Sequence, residues 1–181
     1  MFNDRYGLTQ AVLEGRKTMT RRIIYNDAVK RYSDPWDLIR NCTRYHFDEV
    51  VAIAQSYSDV LGIMIERHGG YGEEQNEFYE KWGNSPAWGN KMFVAADLMP
   101  NHIKITDIKV ERLQDISRED LSKEGIEYDK VKDRFICGDI IEFFQRDAFA
   151  ALIDKVLGKG TWESNPWCFC YEFKLIESVW H

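Results

Sequence analysis

The segment Gly15-Arg16-Lys17-Thr18-Met19-Thr20-Arg21-Arg22 decides how this sequence is interpreted. It follows a run with helical apolar spacing over residues 7–14, which Gly15 can end as a left-handed cap. Residues 20–25 are typical of a strand. The segment is rich in basic and hydroxyl side chains, and it joins a helix end to a strand. Such a corner suits an anionic or polar ligand, and the alternative is a solvated turn with surface arginines.

The charge and hydropathy of the chain limit its possible functions. Its 181 residues carry 24 Lys and Arg against 30 Asp and Glu, which gives a net charge of −6. This balance argues against a broad surface that follows nucleic-acid phosphates, but it permits a small basic pocket. The sequence has no apolar run of the roughly 18 residues that a membrane span requires, and no apolar signal-peptide core. We therefore expect a cytoplasmic protein without a membrane partner.

The cysteines and histidines lack metal-ligand spacing. Cys42, Cys137, Cys168 and Cys170 form no Cys-x-x-Cys pair, and the histidines form no i,i+4 pair. Phosphate-loop and dinucleotide motifs are missing as well. We therefore expect no metal and no cofactor. The four thiols should be free, with Cys168 and Cys170 as small apolar side chains of a strand.

Periodicity along the rest of the chain predicts an α+β fold with about five strands and three or four helices, without strict βαβ alternation. The expected strands are 20–25, 49–55, 91–95, 103–113 and 167–176. The expected helices are 7–14 and three that are capped by Ser58, Ser117 and Asp139. A helical turn is expected at Asp34-Pro35, and an elaborated loop over 71–90 with a helical piece near Phe78 to Trp82. A small mixed β-barrel with flanking helices fits this order better than a doubly wound sheet.

The motif Gly15-Arg16-Lys17-x-x-Thr20-x-Arg22 resembles the opening motif of ASCH domains, which have the PUA-like β-barrel fold associated with RNA. Further segments resemble the family, and its phage and prophage branch, in the same order. These are Glu49-Val50-Val51-Ala52, Ile105 to Gly125, and Asn165-Pro166-Trp167 into Tyr171-Glu172-Phe173. The likeness covers roughly half of the chain.

The resemblance implies a single PUA-like domain over residues 1–181, with insertions at about 57–90 and 126–160. Where the family has a glycine before the acid of its second strand, this chain has Asp48, which can adopt positive φ.

Some compact members of the superfamily hydrolyse 4-acetylcytidine to cytidine and acetate. By motif, the resemblance implies that Lys17 is a general base, Thr20 a nucleophile and Glu124 a group that carries or orients protons, with Arg22 beside them. Amide cleavage needs an activated nucleophile, a proton for the leaving amine and a stabilised oxyanion. A lysine amine can act as a base only when it is neutral, which burial and nearby positive charge favour.

Several residues are candidates for holding a ligand. Arg16, Arg21 and Arg22 could supply positive charge, and Trp88 and Trp162 could stack on a base. Each candidate also has a plain structural interpretation, as a surface lysine, a strand-opening threonine, a solvated glutamate or a packed tryptophan.

Three functions are compatible with the sequence. The first is a pocket that binds a nucleoside and hydrolyses its acyl amide. The second is a non-catalytic module that reads RNA or a modified base, and the third is a ribonuclease. The net charge favours recognition in a pocket over tracking of the backbone. The expected partner is RNA or a modified nucleoside, small or single-stranded.

Overall fold

The computed structural model describes residue 2, residues 4–32 and residues 34–177. They fall into two compact units. The helical unit consists of Val50–Ile103 with short pieces of both chain ends, and the sheet unit consists of Asn3–Glu49 and Lys104–Leu175. The predicted α+β class is confirmed, because both helices and strands are present. The interpretation as one domain with insertions stays a prediction.

Helices and strands follow one another without strict alternation along the described residues. The helices are α1 (Leu8–Leu13), α2 (Asn26–Arg31), α3 (Pro35–Cys42), α4 (Tyr57–His68), α5 (Glu73–Trp82), α6 (Arg118–Lys123), α7 (Gln145–Leu157) and α8 (Thr161–Ser164). The strands are β1 (Met19–Ile23), β2 (Val50–Ala52), β3 (Asn101–Arg112), β4 (Glu127–Asp129), β5 (Arg134–Cys137), β6 (Ile140–Glu142) and β7 (Trp167–Glu177).

The main sheet of the sheet unit has its strands in the order β1, β7, β3. β1 and β7 run antiparallel, with Arg21 opposite Cys170 and Thr20 opposite Tyr171. Directly opposed residues of an antiparallel pair share a face, and successive residues of a strand alternate between faces. Arg21 and Cys170 therefore lie on one face of the sheet, and Thr20 and Tyr171 lie on the other.

The described strands form open sheets and do not close into the small barrel that the sequence predicted. Within the segment 126–160, three short strands form a separate sheet in the order β4-β5-β6. The predicted helix capped by Asp139 and closed by Gly158 is wrong only at its start, because Ile140 is buried, Ile141 is exposed and both belong to β6. Helix α7 begins later, at Gln145.

Local end signals placed two helices of the sheet unit correctly. Asp34 accepts a hydrogen bond from the Trp36 N–H at 2.6 Å and caps α3. Ser117 accepts one from the Asp120 N–H at 3.0 Å and caps α6, as predicted. These caps succeed as predictions because side chain and donor lie within one turn of each other.

The helical unit differs from the prediction in two segments. The helical piece expected near Phe78 to Trp82 is the second half of helix α5, which begins earlier, at Glu73. The expected strand 91–95 is instead a 3-10 turn over Lys91–Phe93. Helix α4 is capped by Ser56, two residues before the predicted Ser58. The core of the helical unit is formed by apolar side chains of α4 and of the segment that follows it, namely Tyr57, Val60, Leu61, Met64, Phe78, Ala87 and Met99.

Gly125 follows α6 with a φ of +86°, and a Cβ atom there would lie 3.0 Å from Lys17 Cβ and 3.2 Å from Ala11 Cβ. We expect Gly125→Ala to lower the free energy of unfolding by about 2–4 kcal/mol, because strain at positive φ adds to overpacking. Gly15→Ala is the matched control, since its φ is +72° but no atom lies within 4 Å. It should cost only about 1 kcal/mol. Urea unfolding measures both, and equal losses would contradict the packing role of Gly125.

Candidate functional site

Lys17 and Glu124 are held side by side by the backbone, although they are 107 positions apart in the sequence. The two residues form an isolated antiparallel bridge. Beside it, the Thr18 N–H donates to the Lys123 carbonyl at 2.9 Å, and the Lys17 N–H donates to the Ala11 carbonyl at 2.8 Å. The placement of Lys17 against Glu124 therefore follows from main-chain hydrogen bonds.

The Lys17 ammonium group is buried and bonded to Glu124 twice. Nζ lies 2.6 Å from the carboxylate Oε2 and 2.9 Å from the backbone carbonyl of the same residue. The two side chains are only 3% and 4% exposed. A neutral amine has two N–H donors and one lone pair, so both acceptors could stay bonded while the lone pair received a proton.

Burial lowers the pKa of Lys17 below its ordinary value, because the charged amine loses its hydration. The Glu124 carboxylate opposes this shift, and the positive charge of Arg22 adds to it. The lowered pKa increases the fraction of neutral amine, which is the form that a general base requires.

Arg21 binds the other oxygen of the Glu124 carboxylate, the one that Lys17 does not contact. Its Nη1 donates to Glu124 Oε1 at 2.5 Å, and its Nη2 donates to Glu111 Oε1 at 2.5 Å and to Asp120 Oδ2 at 3.3 Å. Burial alone would lower the pKa of Arg21, but the carboxylates of Glu124 and Glu111 raise it. Its Nε is buried and has no partner among the described residues.

Lys109 connects this cluster to the surface. Its Nζ lies 2.5 Å from Asp120 Oδ2 and 3.0 Å from Glu111 Oε2, and its side chain is 39% exposed. We call the six residues the charge cluster, in which three cations alternate with three carboxylates: Lys17, Arg21, Lys109, Glu111, Asp120 and Glu124. Because the charges balance, the cluster can be buried without an unpaired ion.

Thr20 and Arg22 lie on the other face of β1 from Arg21. Thr20 is half-buried and opposite Tyr171, whose hydroxyl bonds the Thr43 hydroxyl at 2.7 Å. The structure thus brings together Lys17 and Glu124 of the predicted catalytic residues. It shows no hydrogen bond between Thr20 and either of them in the described part of the chain.

The predicted ligand-binding residues Arg16, Trp162 and Trp88 have different surroundings. Arg16 pairs with Glu14 and Glu127 and lines a groove of about 630 Å³ beside β4 and β5. Trp162 packs edge-on against Phe149, with ring centroids 6.0 Å apart, in the sheet unit. Trp88 belongs to the helical unit, where it packs edge-on against Tyr79 at 5.3 Å. Base stacking by either tryptophan stays a prediction.

Sequence reasoning did not identify Glu111, Asp120 and Lys109 as members of the site. Two signals could have indicated them. Asp120 lies four residues before Glu124, which places both acids on one side of the α6 turn. Lys109 and Glu111 are two residues apart in a strand and so share a face.

The described residues hold no candidate metal-binding group and no helix that could span a membrane. No group of three or more His, Cys, Asp or Glu side chains among them could hold a metal ion. None of the described helices combines the length and apolar character needed to cross a bilayer. The four cysteines are free, as predicted.

Comparisons with protein-family models, with curated proteins and with solved structures gave no match.

The carboxyls of the charge cluster should make stability sensitive to acid. Burial would raise the pKa of Glu111 and of Asp120, but hydrogen bonds from Arg21 and Lys109 outweigh it and lower both. Such groups stabilise the fold above their unfolded pKa, near 4, and lose that contribution as the pH falls. We expect the free energy of unfolding, measured in urea, to drop between about pH 6 and about pH 3.

Lys109→Met should reduce this drop by about 1–2 kcal/mol, because the folded-state pKa of its two carboxyl partners rises. Lys155→Met removes an exposed pair with Asp139 and is the control, with a much smaller effect expected. If the free energy of unfolding falls as much with acid in Lys109→Met as in the wild type, Lys109 is not the group that lowers the pKa of these two carboxyls.

Proposed function

We propose that this chain is an ASCH-type protein that binds a nucleoside or an RNA base and hydrolyses an acyl amide such as that of 4-acetylcytidine. One observation supports it above the others. The buried Lys17 Nζ lies 2.6 Å from the Glu124 carboxylate. The resemblance assigns proton transfer to these two distant residues, and the fold places them in direct contact.

The PUA-like fold, the cytoplasmic location and the RNA or modified-nucleoside partner belong to the same proposal. The described strands form open sheets, so the fold assignment depends on the order of the motifs. Asp48 also fits it, because its φ is +69° at the position where the family has a glycine.

In the proposed reaction, the neutral Lys17 amine accepts the proton of the attacking hydroxyl. The new ammonium group passes a proton to Glu124 Oε2, 2.6 Å away, and Glu124 delivers it to the leaving amine. The amide C–N bond breaks as the hydroxyl oxygen forms a bond to the acyl carbon. If that oxygen belongs to Thr20, water then hydrolyses the resulting ester and releases the carboxylic acid.

The role of Thr20 depends on the resemblance alone. Its hydroxyl lies on the opposite face of β1 from Arg21, so its approach to Lys17 is not indicated by the strand geometry. A water molecule activated by Lys17 would give the same products in one step, without an acyl-enzyme.

A second candidate is a module that binds a base without turnover. The observation that favours it is the burial of Lys17 and Glu124, whose side chains are 3% and 4% exposed inside a charge-balanced cluster. A binding module needs no amine that a substrate can reach. The two functions differ in whether a free acylated nucleoside is hydrolysed.

Lys17→Met and Glu124→Gln should each reduce hydrolysis of 4-acetylcytidine by about 10²–10⁴-fold, which is the usual contribution of general acid–base catalysis. Chromatography of cytidine release measures it. Lys123→Met is the matched control, because Lys123 neighbours Glu124 but pairs with Glu172 and is 35% exposed. It should keep wild-type activity.

Circular dichroism must show that the variants are folded. Undiminished turnover in either Lys17→Met or Glu124→Gln would contradict the catalytic roles. If the wild type binds the nucleoside but does not hydrolyse it, the binding module is the correct function.

Thr20→Val tests the nucleophile separately, since valine keeps the β-branched shape that suits a strand. If Thr20 forms the acyl-enzyme, we expect hydrolysis to fall by at least about 10³-fold and the burst of cytidine to disappear. Stopped-flow measurement of the first turnover follows the burst. Retention of wild-type hydrolysis in Thr20→Val would assign the attack to water.

A further inference from the structure

Arg21 is the residue that fixes Glu124 from the side opposite to Lys17. Each oxygen of the Glu124 carboxylate accepts a hydrogen bond from a different side chain: Oε1 from Arg21 at 2.5 Å and Oε2 from Lys17 at 2.6 Å. A carboxylate is planar, so bonds to both oxygens fix its orientation as well as its position. Neither cation alone would do this.

Arg21 is poorly placed for the ligand contact that the sequence suggested. Its side chain is only 1% exposed, and both terminal nitrogens donate to carboxylates. Its adjacent residue Arg22 lies on the other face of β1. Two neighbouring arginines of the segment 15–22 therefore have different surroundings.

The guanidinium group is itself held rigidly. Nη2 binds Glu111 on β3 and Asp120 on α6, and the Arg21 Cζ lies 5.9 Å from the centre of the Phe149 ring. On the strand, Arg21 is paired with Cys170. The planar fork of arginine suits such a junction, because it can bind several carboxylates in one fixed geometry.

We propose that Arg21 is a positioning residue for the Lys17–Glu124 pair. It fixes one oxygen of Glu124 so that the other points at Lys17 Nζ, and it shares the negative charge of that carboxylate with Lys17. The catalytic meaning of this arrangement rests on the proposed function. The arrangement itself has a consequence that needs no substrate.

Sharing the carboxylate weakens its stabilisation of the Lys17 cation. The groups that act on Lys17 are Glu124 after α6, Arg22 on β1 and Cys137 on β5, together with Arg21 through the shared carboxylate. Burial raises the pKa of Cys137 to about 11, so this thiol is uncharged near neutral pH. Removing Arg21 would leave the Glu124 charge to Lys17 alone, and the pKa of Lys17 would rise.

The test is an NMR titration of full-length protein labelled with ¹³C at the lysine Cε atoms, with the Lys17 signal assigned by its loss in Lys17→Met. In Arg21→Met we expect the pKa of Lys17 to rise by about 1 or more, which is a tenfold smaller neutral fraction at a given pH. Lys109→Met is the matched control. It removes a cation from Asp120 and Glu111 but none from Glu124, so the pKa of Lys17 should rise much less than in Arg21→Met.

Arg21→Met leaves two lysines, Lys17 and Lys109, to balance three largely buried carboxylates, and this excess of negative charge can prevent folding. The charge-balanced double variant Arg21→Met with Glu111→Gln then replaces it, and the same rise is expected. A Lys17 titration unchanged from the wild type in the folded Arg21 variant would overturn the proposal.

Enzyme activity is a second measurement, and it distinguishes a failure of the positioning role of Arg21 from a failure of the proposed hydrolysis. If the wild type hydrolyses 4-acetylcytidine, the Arg21 variant should lose at least about tenfold in kcat with KM changed less than about twofold, and its activity should recover at higher pH. A change in KM alone would overturn a positioning role. If the wild type shows no hydrolysis, the proposed function fails, and the NMR titration still decides the role of Arg21.

Discussion

The carboxylate of Glu124 is the group on which the charge cluster of the sheet unit depends. It accepts one hydrogen bond from Lys17 and one from Arg21, each on its own oxygen. Transfer of an ion from water into a protein interior costs several kcal/mol, which only close partners in good geometry can offset. The positions of β1, β3 and α6 must therefore be fixed to within a hydrogen-bond length, because each of them contributes ions to the cluster.

Local features of the fold were predictable from the sequence, whereas pairings across the chain were not. The caps at Asp34 and Ser117 depend on neighbours within one turn. The prediction of a helix from Asp139 is wrong at its start because Ile140 fits both a helical stripe and an alternating strand. What decides it is the pairing of β6 with β5, which places Ile140 opposite Cys137. Such pairing between short strands leaves little trace in composition.

The same distinction applies to the site. The resemblance named Lys17 and Glu124, and no periodicity could have joined residues 107 positions apart. Arg21 and Arg22 could not be told apart, because they are identical residues in one basic run. Their roles follow from strand parity, and parity has meaning only once the partners on β7 are known. Arg21 then faces the charge cluster beside Cys170, while Arg22 is opposite Phe169.

Stability alone is a weak explanation for this cluster, because well-packed apolar residues often replace buried ion pairs without loss. Its two ends differ in proton affinity, which supports the proton transfer that we propose for Lys17. At the exposed end, burial opposes the charge of Lys109, but hydrogen bonds to Asp120 and Glu111 raise its pKa. At the buried end, loss of hydration lowers the pKa of Lys17 despite Glu124. The two lysines pair with carboxylates of the same cluster but differ in proton affinity. Lys17, which is buried, binds its proton less tightly than Lys109. An amine that only balanced charge would be better placed at the solvated end.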